Sequence, residues 1–251
     1  MKQLLTAALF FLTSAITFAS FQPSPSKPVY VIVHGAWGGG WSFKKVDQLL
    51  TTNGNIVYRP TLTGQGEKVH LATKEVNLET HLNDIINTVL FEELEDIILV
   101  GHSYGGMVIT GVADRIPEKI KKLIYVDAFV PEDNESVRES WSSRDGQVVN
   151  EMGYIVPSWV SEDKLPPKDV PHPGNTLTDK ISLKNPERLT IPTTYILTVE
   201  KGLDPEADYF SKHAKRAEKK NWPIKILTAD HNPQWSAPEE FVKVLENIVS
   251  Q

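Results

Sequence analysis

The 251-residue sequence predicts an α/β fold in which a mostly parallel sheet is flanked by helices and carries an inserted cap. Short apolar runs rich in β-branched residues recur along the chain, as expected for parallel strands buried on both faces. Stretches with apolar residues three and four positions apart lie between these runs and predict helices. One segment, residues 131–190, shows neither pattern and interrupts the alternation.

The order of the predicted elements indicates βαβ units with right-handed crossovers. Each strand is short and apolar, and each helix candidate has one apolar face. The strands are predicted at Val29–Val33, Asn55–Tyr58, Asp96–Val100, Leu123–Val126, Tyr195–Val199 and Ile224–Leu227. The helices are predicted at Trp41–Leu50, Val76–Leu90, Met107–Ala113 and Phe241–Val249.

Residues 131–190 are predicted to form a cap over one end of the sheet, between core segments 28–130 and 191–251. The segment has frequent prolines and charges and no clear strand, but its aromatic residues argue against disorder. The alternative is a long surface loop. Together with Trp37, the cap residues Trp141 and Trp159 are candidates for the wall of a substrate pocket.

The N-terminus predicts export. Residues 1–19 carry an early lysine, an apolar stretch and small residues near Ala19, which is the layout of a secretory signal peptide. The stretch is too short for a typical membrane span, so we expect no stable membrane anchor, although an uncleaved anchor is the alternative. The chain has no cysteine, which is compatible with a bacterial periplasm or secretion.

Composition narrows the classes of partner and cofactor. The net charge is −6 and no long Lys/Arg run occurs, so a nucleic-acid partner is not expected. The glycine-rich stretch after Val33 matches neither of the phosphate-binding motifs G-x-x-x-x-G-K-[ST] and G-x-G-x-x-G, so no cofactor is predicted. The zinc-binding motif H-E-x-x-H does not occur either, so no metal is predicted. We expect a small-molecule substrate, and the sequence does not indicate an oligomeric state.

The stretch Ile98–Gly106 predicts a serine nucleophile. Gly101-x-Ser103-x-Gly105 follows a predicted buried strand and precedes an apolar helix, which is the context of a nucleophile elbow. The turn is too tight for side chains beside it, and it lifts the serine hydroxyl to the start of a helix. His102, inside the turn, is expected to point away from the cleft and to pack.

His231 is the predicted general base, because a serine hydroxyl needs a group that accepts its proton. It follows the strand Ile224–Leu227 and comes after Ser103 in the chain. Sheets with a nucleophile elbow carry their catalytic residues in the chain order serine, acid, histidine, and His231 fits the last place. The acid is expected between them, after the strand that ends at Val199. Glu200 is favoured, and Asp204 remains the alternative.

The glycine-rich turn after Val33 is predicted to hold an oxyanion. Attack by Ser103 on an acyl carbon places negative charge on the former carbonyl oxygen, which needs two hydrogen-bond donors. The backbone N–H of Tyr104, directly after the nucleophile, is one candidate. The N–H of Ala36 is the other, and a purely structural turn is the alternative for that loop.

At these residues the chain resembles the α/β-hydrolase superfamily, and in particular the branch of plant methyl esterases, hydroxynitrile lyases and related bacterial esterases. The resemblance implies an α/β-hydrolase fold and places Glu200 at the position of the family's catalytic aspartate. It is carried by the stretches VIVHGAWGGGW, RPTLTGQGE, ILVGHSYGGMV, LIYVDAFVPED and ADHNPQWSAPEEF.

The resemblance also distinguishes ester hydrolysis from cyanohydrin cleavage, two reactions that occur in this branch. The lyases of this branch have a threonine near the oxyanion loop and a lysine directly after the catalytic histidine. Here Gly35 follows His34, and Asn232 follows His231. The expected function is therefore a serine esterase that cleaves small to medium apolar carboxylic esters through an acyl-enzyme. A hydroxynitrile lyase or other carbon–carbon bond enzyme on the same triad is the alternative, and a binding protein without turnover is a further one.

Overall fold

The computed structural model describes residues 27–140 and 147–251. The predicted signal peptide, residues 1–19, and the pocket candidate Trp141 lie outside the described residues. Within the described part of the chain, strands and helices alternate as the sequence predicts, and the α/β fold class is confirmed.

A six-stranded sheet forms the centre of the molecule, in the order β2-β1-β3-β4-β8-β9, and every neighbouring pair is parallel. The chain builds β2 on one side of β1 and then crosses to build β3 on the other. This reversal creates a crevice at the carboxyl ends of β1 and β3, where open α/β sheets bind ligands. The strands are β1 (Val29–Val33), β2 (Ile56–Tyr58), β3 (Ile97–His102), β4 (Ile120–Val126), β8 (Thr193–Val199) and β9 (Ile224–Thr228).

Helices cover both faces of the sheet, which explains why the central strands β1 and β3 are almost continuously apolar and buried. Alternate residues of β1 face opposite sides: Val31 packs in a cluster with α2, α3 and α6, whereas Ile32 packs in a cluster with α1 and α8. The larger helices are α1 (Lys44–Thr52), α2 (Leu78–Phe91), α3 (Gly105–Arg115), α6 (Ser211–Lys219) and α8 (Pro238–Val249).

Two helices begin later than their apolar patterns predict, for local reasons. The first apolar positions of the predicted helix at Trp41 form a short 3₁₀ turn, Gly40–Phe43, before α1. Helix α2 begins after Asn77, whose side chain accepts a hydrogen bond from the backbone N–H of Thr80 in a capping box. A capping side chain, which periodicity does not register, fixes the start of α2, whereas α1 begins where the 3₁₀ turn ends and has no side-chain cap.

Segment 131–190, the predicted cap, contains strands that its residue pattern does not predict. A three-stranded antiparallel sheet joins β5, β6 and β7, and the expectation of no clear strand in this segment is therefore wrong. These strands are two to four residues long and include prolines, so they lack the alternation that identifies a strand. The cap elements are α4 (Val137–Ser140), β5 (Gln147–Val149), β6 (Tyr154–Pro157), β7 (His172–Pro173) and α5 (Gly174–Thr178). The last short helix of the core, α7 (Pro233–Ser236), follows β9.

None of the helices in residues 27–140 and 147–251 combines the length and the apolar character needed to cross a bilayer. The same residues contain no group of three or more His, Cys, Asp or Glu side chains placed to hold a metal ion.

Candidate active site

The candidate catalytic residues lie where parallel strands end. Ser103 follows β3, Asp127 follows β4 and His231 lies just beyond β9. All three line one cavity of about 440 Å³ at the crevice between β1 and β3. Sequence-distant residues meet here because the carboxyl ends of parallel strands share one edge of the sheet.

Ser103 occupies a strained backbone conformation, with φ of 53°. The surrounding backbone holds it: its N–H donates to the Val126 carbonyl at 3.2 Å, and its carbonyl accepts from the N–H of Phe129 at 3.1 Å. Only glycine fits beside it, since a Cβ at Gly105 would lie 2.5 Å from the Val33 carbonyl oxygen. The turn therefore has the strained, closely packed backbone geometry that a nucleophile elbow requires.

The imidazole of His231 is bonded to Asp127. Its Nδ1 lies 2.6 Å from Asp127 Oδ2, and the carboxylate is 1% exposed. The other carboxylate oxygen, Oδ1, accepts from the backbone N–H of Thr198 at 3.3 Å. The carboxylate accepts a hydrogen bond from Nδ1–H, so Nε2 is the nitrogen that can accept a proton from a nucleophile.

The structure corrects the predicted acid. Glu200 is exposed and is not bonded to His231. Asp204 is also exposed, and its carboxylate accepts from the backbone N–H of Glu206, capping the short turn Pro205–Ala207. Both residues belong to a loop that turns toward solvent after β8, whereas Asp127 is enclosed. The signal that could have found Asp127 is its place directly after a predicted strand and between Ser103 and His231 in the chain.

The ring of His231 lies between two aromatic side chains. Phe210 stacks on it with ring centroids 4.9 Å apart and planes at 4°, and the His102 ring lies 4.8 Å away. The Nε2–H of His102 donates to the His231 backbone carbonyl at 2.7 Å. Burial, together with the neighbouring His231, lowers the pKa of His102 to about 3, so this imidazole remains neutral near pH 7.

His102 therefore differs in part from its prediction. It is 4% exposed and packs edge-on against Phe43, as a structural residue should. It also lines the cavity and supports His231, so the expectation that it points away from the cleft is wrong. Its position makes it a positioning residue for the loop that carries His231.

The turn after β1 directs Ala36 into the site. His34 Nε2 accepts from the N–H of Leu62 at 3.0 Å, which leaves the proton on Nδ1, and Nδ1–H donates to the Gly35 carbonyl at 2.7 Å. In a trans peptide the carbonyl and the following N–H point in opposite directions. Fixing the Gly35 carbonyl on the buried imidazole thus turns the N–H of Ala36 away from it, on a turn that lines the cavity.

The two predicted oxyanion donors lie on the same cavity wall. Ala36 and Tyr104 both line the cavity, and neither backbone N–H has an acceptor among residues 27–140 and 147–251. The Tyr104 side chain is buried and its hydroxyl lies 2.9 Å from His81 Nδ1, which anchors the start of α3. Within the described part of the chain, these two N–H groups are thus without an acceptor in the cavity that Ser103 also lines.

Segment 131–190, the predicted cap, contributes mainly apolar and aromatic side chains to the cavity lining. Trp37 and Trp159, both expected at the pocket, meet edge-to-face with ring centroids 5.5 Å apart. The Trp37 indole N–H donates to the Ile155 carbonyl at 3.1 Å, and its backbone N–H donates to His172 Nδ1 at 3.3 Å. The oxyanion turn and the cap are therefore held together by hydrogen bonds.

The chain belongs to the α/β hydrolase family, whose model matches residues 30–244. It is 55% identical over 108 residues to a carbendazim-hydrolysing esterase from Nocardioides sp. (strain SG-4G), covering 43% of this chain and 45% of that protein. It is 34% identical over 104 residues to an α-hydroxynitrile lyase from Arabidopsis thaliana, covering 41% and 40%. It is also 34% identical over 106 residues to salicylic acid-binding protein 2 from Nicotiana tabacum, covering 41% and 40%. The chain thus spans less than half the length of these curated relatives.

Solved structures share the fold over most of the chain. An extracellular α/β-hydrolase from a Paenibacillus species superimposes with a TM-score of 0.71 at 20% identity, covering 88% of this chain and 98% of that one. A methylesterase from Arabidopsis superimposes with a TM-score of 0.69 at 24% identity, covering 89% and 99%. The resemblance noted from the sequence is confirmed at the level of family and fold.

Proposed function

We propose that the protein is a serine esterase that cleaves small-molecule carboxylic esters through an acyl-enzyme. The hydrogen bond between Asp127 and His231, in the same cavity as the strained Ser103, is the observation that carries this proposal. The esterases among the relatives support the reaction class. The apolar cavity supports uncharged substrates of small to medium size.

The first half-reaction acylates the enzyme. His231 Nε2 takes the proton of Ser103 as the hydroxyl oxygen attacks the ester carbonyl carbon, and Asp127 stabilises the resulting imidazolium. The oxyanion accepts hydrogen bonds from the N–H groups of Ala36 and Tyr104. When the tetrahedral intermediate collapses, the bond to the alcohol breaks, and His231 returns the proton to the departing alkoxide.

The second half-reaction repeats these roles with water. His231 removes a proton from a water molecule, which attacks the acyl carbon, and the proton then returns to the Ser103 oxygen as the acid leaves. One ester and one water give one acid and one alcohol. The positive charge that lyases of this branch place after the catalytic histidine is replaced by Asn232, which favours hydrolysis over cyanohydrin cleavage.

The direct test is Ser103→Ala measured on a panel of short-chain aryl and methyl esters. We expect loss of turnover by at least about 1,000-fold with the fold intact by circular dichroism, because the nucleophile is removed. Ser236→Ala is the matched control: its hydroxyl is exposed and bonds Asp230 outside the cavity, so this variant should retain wild-type activity. Wild-type turnover by Ser103→Ala would contradict the proposed function.

We further propose that the protein is exported to the periplasm or secreted after cleavage behind Ala19. The apolar stretch in residues 1–19 supports this proposal. Intact mass and N-terminal sequencing of the protein isolated from its native host should give a chain beginning at Ser20. A cytoplasmic protein that retains Met1 would contradict export.

A further inference from the structure

Asp169 is a carboxylate of segment 131–190 that lines the catalytic cavity and has no partner among residues 27–140 and 147–251. Among the described residues, its side chain takes part in no hydrogen bond and in no ion pair within 4 Å. Lys164 lowers its pKa only by a longer-range charge effect, and the Lys164 ammonium itself bonds the Trp159 carbonyl at 3.3 Å. Burial outweighs this effect and raises the pKa of Asp169.

The backbone places Asp169 beside the oxyanion turn. The N–H of Val170, the next residue, donates to the carbonyl of Trp37 at 2.9 Å. Trp37 directly follows Ala36, whose N–H is the proposed oxyanion donor. A negative charge near a developing oxyanion is unfavourable unless a donor on the substrate engages it. The position therefore suits a carboxylate that pairs with the substrate close to its scissile carbonyl.

The other two acids among the described lining residues already have partners. Asp127 binds His231, and Asp208 Oδ1 accepts from the backbone N–H of Phe210 at 2.7 Å. Among the described lining residues no Lys or Arg balances these carboxylates. The cavity consequently disfavours an anionic substrate and offers one carboxylate acceptor for a donor that the substrate must bring.

We propose that Asp169 determines specificity by accepting a hydrogen bond from an N–H donor next to the ester carbonyl of an aromatic substrate. We expect the substrate to be aromatic because the indole rings of Trp37 and Trp159, which form an edge-to-face pair, line the cavity and can pack against an aromatic ring. This inference rests on the proposed esterase function and names its substrate class. A site built around an acceptor disfavours an analogue that lacks the donor, because the half-buried carboxylate of Asp169 then stays unpaired.

The test compares two esters of nearly equal shape. In methyl indole-2-carboxylate, the ring N–H is bonded directly to the carbon that bears the ester. In methyl benzofuran-2-carboxylate, an oxygen atom takes the place of this N–H. For the wild-type protein we expect kcat/KM for the indole ester to exceed that for the benzofuran ester by about tenfold or more, which corresponds to about 1.4 kcal/mol. In Asp169→Ala this ratio should fall to about one, and in Asp169→Asn, which keeps an acceptor oxygen, it should be intermediate.

Asp163→Ala is the matched control, because Asp163 is an exposed carboxylate of the same cap segment and does not line the cavity. It should keep the wild-type ratio. Methyl 1-methylindole-2-carboxylate tests the same hydrogen bond in the unaltered protein, and its kcat/KM should fall to the benzofuran value or below. Equal turnover of the indole and benzofuran esters by the wild-type protein, or an unchanged ratio in Asp169→Ala, would overturn this inference alone. Turnover of neither ester by a protein that cleaves other esters of the panel would also overturn this inference alone, whereas turnover of no ester in the panel would contradict the esterase proposal as well.

Discussion

The carboxyl ends of β4 and β8 are adjacent in the sheet, and each is followed directly by an acid. After β4 comes Asp127, which is 1% exposed and accepts hydrogen bonds from His231 and from the N–H of Thr198. After β8 comes Glu200, which is exposed and bonds neither group. The comparison shows that a strand end directs a side chain toward the site, but the course of the following backbone decides whether it arrives.

The backbone after each strand explains the difference. Asp127 adopts φ of 44°, and Tyr195 braces the next residue, because its hydroxyl contacts both the N–H and the carbonyl of Ala128 at 3.0 Å. After Glu200, the chain turns outward through Lys201 and Gly202, the latter with φ of 87°. A braced turn encloses one carboxylate, and a solvent-facing turn leaves the other in water.

The largest expected effect comes from exchanging the two acids for their amides. Asp127→Asn should lower kcat by about 1,000- to 10,000-fold, because an amide no longer holds the imidazole in the productive tautomer. Glu200→Gln is the matched control and should change kcat by less than about twofold. Steady-state turnover of a short-chain ester measures both. The opposite ranking would return the role of triad acid to Glu200.

A second contrast concerns two enclosed histidines, His34 and His81, whose pKa differs between the folded and the unfolded chain. Burial lowers the pKa of both His34 and His81 to about 4, whereas the unfolded chain binds their protons near pH 6.5. Their stabilisation is fully present above pH 6.5 and is lost as the pH falls toward 4. The free energy of unfolding should therefore decrease by about 1.4 kcal/mol per pH unit for each imidazole in this window.

Urea titrations between pH 7 and 4 measure this slope. His81→Asn should reduce this slope by the contribution of one imidazole, about 1.4 kcal/mol per pH unit. Equal slopes in His81→Asn and the wild-type protein would contradict the assignment of His81 as a buried neutral group.

The orientation of the oxyanion turn is expected to contribute less than the acid. His34→Asn removes the hydrogen bond that fixes the Gly35 carbonyl, so the N–H of Ala36 loses its fixed direction. We expect kcat to fall by about 10- to 100-fold with KM little changed, since the donor acts mainly in the transition state. Circular dichroism at pH 7 checks the fold. A change confined to KM would show that the turn serves substrate binding instead.

The smallest expected effect tests the ring that stacks on His231. Phe210→Leu keeps an apolar side chain but removes the parallel stack at 4.9 Å. The loss of an aromatic pair, about 0.5–1.5 kcal/mol, should lower kcat/KM by about 2- to 12-fold. Phe91→Leu, at a ring that is 87% exposed on α2, should have no effect. Equal activities of all three proteins would remove Phe210 from the site's support.

The sequence predicted the parts of the site whose chemistry is local. The elbow around Ser103 needs small residues at fixed offsets, and His231 follows a recognisable strand, so both patterns are readable from the chain. The acid could not be identified in this way. Asp127, Glu200 and Asp204 all come after a predicted strand, and all three lie between Ser103 and His231 in the chain. Only burial and the turn braced by Tyr195 distinguish them. The short strands of the cap were missed for a related reason, since two to four residues carry no measurable period.

The central claim is that Ser103 is activated by His231 held by Asp127. The rate of covalent labelling by a fluorophosphonate, followed by intact mass and peptide mapping, tests it most directly because labelling requires only an activated serine. We expect a single adduct on Ser103, formed at equal rates in the wild-type protein and Glu200→Gln and at least about 100-fold more slowly in Asp127→Asn. An adduct on another residue, or a wild-type rate in Asp127→Asn, would contradict the claim.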